Sequence, residues 1–159
     1  MVEHAAPAPE SCLIPTGQGR IHARYWPGGA DAPAGAPIVL LHDSLGCVDL
    51  WRDFPAKLAL ATGRAVIAYD RLGFGKSDPH PGRLRPDFVG SEAGDAFAAL
   101  AAHFDLTRFI AFGHSVGGGM AVSIAAAYPG RCRGVITESA QEFVEDRTCL
   151  LYTSPSPRD

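Results

Sequence analysis

The chain lacks the marks of several protein classes. Its four cysteines, Cys12, Cys47, Cys132 and Cys149, fall at no metal-ligand spacing. That argues against a zinc site and against a disulfide framework, so no metal and no cofactor is expected. No apolar run approaches the roughly 20 residues a membrane-spanning helix requires. Met1 to Glu10 is Ala/Pro-rich, with no apolar stretch behind a charged start, unlike a secretory signal. Basic residues are scattered and outnumbered, 14 Lys and Arg against 17 Asp and Glu for a net charge of −3, so there is no basic stripe to engage nucleic acid. The expected setting is therefore cytoplasmic. The expected partner is a small molecule, with neither nucleic acid nor membrane involved, and the oligomeric state is left open. There is no internal repeat, and no G-x-G-x-x-G follows a strand-like run. One more absence is specific: the six histidines are His4, His22, His42, His80, His103 and His114, and none follows position 114.

What is present is a foldable core. Hydrophobic residues make up 47 % of 159 positions, enough to pack one domain. Residues 1–10 read as a disordered tail and 11–148 as the domain. Ile21 to Trp26 alternates apolar and polar residues like a half-exposed antiparallel strand, with His22 and Arg24 on its polar side. Ile38 to Leu41, Ala65 to Tyr69, Phe109 to Phe112 and Gly134 to Thr137 are short continuous apolar runs, the pattern of strands buried on both faces. Trp51, Phe54, Leu58 and Ala61 recur at helical spacing, and Gly63 follows as a stop. A weaker helical pattern, diluted by Gly90 and Gly94, spans 86–104. Val116 to Tyr128 is apolar nearly all round and reads as a buried helix ended by Pro129-Gly130. Alternating strands and helices imply right-handed crossovers, a mostly parallel sheet and an α/β fold with helices on both faces.

The chemistry concentrates in three loops, each after a predicted strand. Gly113-His114-Ser115-Val116-Gly117 lies between a strand and a helix, the arrangement that lifts a serine hydroxyl onto a tight turn. Leu40-Leu41-His42-Asp43-Ser44-Leu45-Gly46 follows an earlier strand. Tyr69-Asp70-Arg71-Leu72-Gly73-Phe74-Gly75-Lys76-Ser77-Asp78 follows another. The last loop contains Gly75-Lys76-Ser77, which imitates the end of a phosphate-binding loop. That motif needs glycine where Asp70 stands, and Asp78-Pro79 occupies the place where its helix would open, so a nucleotide site is excluded.

These three loops, in this order, resemble those of the α/β-hydrolase family, over roughly residues 20–148. The resemblance implies that Ser115 is the nucleophile and that the backbone N–H groups of Ser44 and Val116 form an oxyanion hole. It implies that Gly113, His114 and Gly117 support the turn, and that His42 and Asp43 support the oxyanion loop. The family usually has glycine at position 43; if the backbone there requires a positive φ, aspartate tolerates it better than most residues. His42, Asp70 and Arg71 are expected to pin loops rather than touch substrate. A serine at the turn sets the chain apart from relatives whose nucleophile is a carboxylate, the epoxide hydrolases and haloalkane dehalogenases. The implied activity is hydrolysis of an ester, thioester or amide of a small molecule, and the alternative is a non-catalytic binding protein on the same fold.

The resemblance also implies an incomplete sheet. Family members supply an acid after a seventh strand and a histidine after an eighth, and neither is present here. The strand near 134–138 is then an exposed edge, and the chain as it stands is expected to be inactive. Residues 149–159 continue no pattern and resemble a translated sequencing adapter, so they are expected to be a non-native tail.

Overall fold

The structure is a computed structural model that describes residues 8–29 and 35–141. The expectations for residues 1–7 and for the tail at 149–159 lie outside the described residues. A six-stranded sheet runs in the order β1-β2-β4-β3-β5-β6. Its strands are β1 (Glu10–Pro15), β2 (Arg20–Trp26), β3 (Ile38–Leu41), β4 (Val66–Tyr69), β5 (Phe109–His114) and β6 (Cys132–Glu138). β1 and β2 form an antiparallel pair, and β2 joins β4 antiparallel. The pairs β4–β3, β3–β5 and β5–β6 are parallel. The helices are α1 (Phe54–Thr62), α2 (Phe88–Ser91), α3 (Ala96–His103) and α4 (Val116–Ala127).

Strand periodicity divides the core in two. Successive side chains point to opposite faces, so Ile38 and Leu40 join Val66, Ala68 and Trp26 on one face, where α1 packs with Ala59, Phe54 and Leu58. Val39 and Leu41 join Ile67, Tyr69 and Ala111 on the other, under Phe97 and Leu100 of α3 and Met120, Ala121 and Ile124 of α4. Phe97 anchors the second layer, its ring centroid 4.9 Å from Phe109 and 5.3 Å from Tyr128. Helices on both faces of a mostly parallel sheet is the architecture the residue pattern implies.

Several local expectations are corrected. A strand already begins at Glu10, so the boundary drawn there between tail and domain falls inside an element. Trp51 is not on α1 but in a preceding 3-10 turn, Val48–Trp51, and α1 buries Pro55 and Ala59 while Ala61 is exposed. The long pattern over 86–104 is two helices with Gly94 in the turn between them. His22 is buried, 5 % exposed, because the loop following β4 folds over that face of β2: its Ser77 hydroxyl accepts the His22 N–H at 2.8 Å. Gly63 does end α1, with φ of 67°. β6 stands at the sheet edge, with Val135 and Ile136 exposed.

Candidate active site

β5 ends at His114, α4 begins at Val116, and the whole reversal falls on Ser115, with φ 54° and ψ −121°. A side-chain-bearing residue in that conformation costs of order 1–3 kcal/mol, so its surroundings must hold it. They do so through both of its backbone groups. The Ser115 N–H donates to the Glu138 carbonyl at 2.9 Å, and its carbonyl accepts from the Gly118 N–H at 2.9 Å and the Gln141 N–H at 3.0 Å. Two glycines make the turn possible. A Cβ on Gly113 would overlap the Gly117 carbonyl, and one on Gly117 would overlap the carbonyls of Leu41 and His42. The second overlap shows how tightly the start of α4 abuts the end of β3. Ser115 is half-buried, and among the described residues its Oγ has no hydrogen-bond partner. It sits at the N-terminus of a 12-residue helix, where free N–H groups and the helix dipole favour negative charge.

The loop after β3 is anchored by a polar cluster. His42 is 2 % and Arg71 5 % exposed. The Arg71 N–H donates to His42 Nε2 at 3.1 Å, so the ring proton lies on Nδ1, which donates to the Asp43 carbonyl at 2.8 Å. Burial, and secondarily the Arg71 charge, push the His42 pKa down to about 3, so the ring is neutral at ordinary pH. Arg71 Nη2 also donates to the Asp43 carbonyl, at 2.8 Å, and to the Ser44 carbonyl, at 3.3 Å. Asp43 itself does not adopt a positive φ. The conformational reason for glycine at that position therefore does not apply; a Cβ on the nearby Gly46 would instead overlap the Asp43 carboxylate.

A second cluster was only half legible in the sequence. Asp70, 1 % exposed, accepts from His22 Nδ1 at 2.8 Å, from the Val48 N–H at 2.6 Å and from the Lys76 N–H at 2.9 Å. One carboxylate thus ties together β2, the segment after the β3 loop and the loop after β4. The D-x-x-G-x-G pattern marks Asp70 as a loop pin, but nothing local to His22 identifies it as the partner. His114 remains at the surface, its Nε2 3.4 Å from Glu138 Oε2, and an exposed pair of this kind contributes little. A cavity of about 410 Å³ opens beside the cluster, lined among others by Arg71, Phe74, His80, Glu92 and Met120, and does not include Ser115. There the Tyr69 hydroxyl donates a hydrogen bond to Glu92 Oε1 at 2.6 Å, and burial raises the Glu92 pKa despite that bond. No group of His, Cys, Asp and Glu among the described residues is arranged to hold a metal ion, and none of their helices is long and apolar enough to cross a membrane.

Comparison with known proteins agrees with this fold. The sequence profile of the alpha/beta hydrolase fold family matches residues 36–157, and the chain belongs to that family. It is 29 % identical over 120 residues to a probable proline iminopeptidase of Leptolyngbya boryana, covering 73 % of this chain and 35 % of that protein. It is 32 % identical over 108 residues to the 2-hydroxymuconate semialdehyde hydrolase of Pseudomonas sp. (strain CF600), covering 67 % of this chain and 37 % of the other. Among solved structures, the proline iminopeptidase of Mycobacterium smegmatis superposes with a TM-score of 0.67 at 26 % identity, over 79 % of this chain and 42 % of that one. The chain therefore spans a little over a third of the length of these curated relatives.

Proposed function

We propose that this chain carries the nucleophile half of a serine hydrolase acting on an ester, thioester or amide of a small molecule. In this reading Ser115 Oγ attacks the substrate carbonyl carbon, an acyl-enzyme forms as the leaving group departs, and water then releases the acid. The Ser44 and Val116 N–H groups receive the negative charge that develops on the carbonyl oxygen. Neither donates to another acceptor among the described residues, and loss of one such donor typically costs about 10²–10³ in rate. Gly113, His114 and Gly117 hold the turn, and His42 and Asp43 hold the loop. The single observation that carries the reading is Ser115 at φ 54° between β5 and α4, half-buried and with no partner for its hydroxyl among the described residues.

The general base is the part the chain does not hold, since no histidine follows Ser115. We place that base, with its acid, in a longer parent protein, because this chain spans only 35–37 % of the length of these curated relatives. Two measurements test this together. The parent hydrolyses an aryl acetate and loses that activity on Ser115→Ala, whereas purified residues 1–159 show no turnover above the buffer rate. Turnover by 1–159 that Ser115→Ala abolishes contradicts the assignment of the base, and a parent indifferent to Ser115→Ala contradicts the whole reading.

A further inference from the structure

An oxyanion donor is useful only while its peptide plane is held, because a flipped plane presents a carbonyl to the developing charge. The Asp43–Ser44 peptide is trans, so the Ser44 N–H points opposite to the Asp43 carbonyl. That carbonyl accepts from His42 Nδ1 at 2.8 Å, from Arg71 Nη2 at 2.8 Å and from the Gly46 N–H at 3.4 Å. The next carbonyl, of Ser44, accepts from the same Arg71 nitrogen at 3.3 Å. Arg71 is itself held, its Nη1 against Met120 Sδ at 3.3 Å and its guanidinium 4.6 Å above the Phe74 ring.

We propose that Arg71 is a positioning residue: its buried guanidinium, together with His42, locks the Asp43–Ser44 peptide so that the Ser44 N–H faces away from the loop interior and toward the substrate oxyanion. The inference rests on the reading of Ser115 given above and adds the device that orients one of its donors. Two features suit the role. Nη2 reaches two successive carbonyls while Nη1, held in the same plane, reaches a thioether on another element, a spread of donors that a compact ammonium does not offer. Among the described residues no carboxylate lies within 4.0 Å of the guanidinium, and its Nε has no partner. A cationic donor on the Asp43 carbonyl forms a stronger bond than a neutral one and polarises the peptide, which makes the Ser44 N–H the better donor. Met120 lies on α4, so the same side chain links the oxyanion loop to the helix that begins at the nucleophile.

The test uses the 159-residue chain labelled with 13C and 15N, as wild type, Arg71→Met and Arg71→Lys, with a melting curve for each. The readouts are the Asp43 carbonyl 13C resonance and the Ser44 amide 15N resonance. In Arg71→Met both are displaced and the Ser44 amide broadens or splits as the peptide samples a second orientation. The Val116 amide, oriented by α4, keeps its position. Arg71→Lys, able to hold one carbonyl, gives an intermediate displacement. Asp43 and Ser44 resonances unmoved in both variants overturn the proposal, and so does a displacement spread evenly over the loop and the elbow, the mark of general loosening. Should Arg71→Met fail to fold, Arg71→Lys decides alone, and an unmoved Ser44 resonance overturns the proposal there too. An unreactive Ser115 would sink the hydrolase reading without changing these resonances, so the two ideas fail separately.

Discussion

At the residue scale, the site is a set of groups held in states they would not choose in water. Ser115 occupies a left-handed conformation because three backbone hydrogen bonds and two glycines leave it no other. His42 is the clearest electrostatic case, with its pKa lowered from 6.5 to about 3, first by burial and then by Arg71. The unfolded chain therefore binds a proton between these values that the folded chain refuses. Stability from this residue is fully present above pH 6.5 and is lost as pH falls toward 3, by roughly 3–5 kcal/mol in all. Denaturant midpoints measured from pH 7 down to pH 4 should fall steeply for the wild type and less steeply for His42→Gln. Equal slopes would contradict the burial of a neutral ring. Glu92 has the opposite sign: burial raises its pKa, so its charged form opposes folding above its unfolded value. Glu92→Gln, which still accepts the Tyr69 hydroxyl, should raise the melting temperature at pH 8 and have less effect at pH 4; a lowered melting temperature at pH 8 would contradict this.

At the element scale, the loops after β3 and β4 are tied to each other and to β2. Asp70 receives donors from β2, from Val48 and from Lys76. Asp70→Ala leaves His22 and the Val48 N–H buried without an acceptor and should cost about 3–5 kcal/mol by chemical denaturation; a loss under 1 kcal/mol would show that the three elements are held elsewhere. The division between what could and could not be read from the sequence falls along the same lines. Continuous apolar runs located β3, β4 and β5, because strands covered on both faces leave no choice of residue type. The elbow was legible because its glycines are required by contacts within the turn and with the neighbouring strand. The buried state of His22 was not, because it is imposed by a loop some 50 positions away in sequence, closing through Asp70 and Ser77. Spacing alone places Trp51 on α1, yet the turn before the helix sets it against Phe54 and Phe112, at 5.6 and 6.3 Å, from the 3-10 segment. β1 escapes the residue pattern because Glu10–Pro15 is mostly exposed, with only Ile14 buried, so the strand is held by pairing to β2.

At the scale of the whole molecule, the sheet is well covered at its centre, where β3 and β4 are buried throughout, and poorly covered at β6. Among the described residues that strand pairs with β5 alone, and its Val135 and Ile136 are 41 % and 45 % exposed. A free edge with apolar side chains is a template for another strand. Sedimentation velocity should show residues 1–159 associating as concentration rises, and Ile136→Lys should shift the distribution toward monomer. A wild-type monomer at every concentration, with a sharp cooperative melt, would contradict this. The same geometry bears on chemistry, because β6 carries Glu138, whose carbonyl fixes the Ser115 N–H; disturbing the edge disturbs the elbow.

The account stands on the reactivity of one hydroxyl, and the most direct test is covalent. The parent protein, treated with a fluorophosphonate at neutral pH, digested and mapped by mass spectrometry, should carry the phosphonyl group on Ser115, and Ser115→Ala should abolish labelling while leaving the melting curve in place. Absence of label from Ser115 in a folded parent, or a label on another residue that persists in Ser115→Ala, would contradict it.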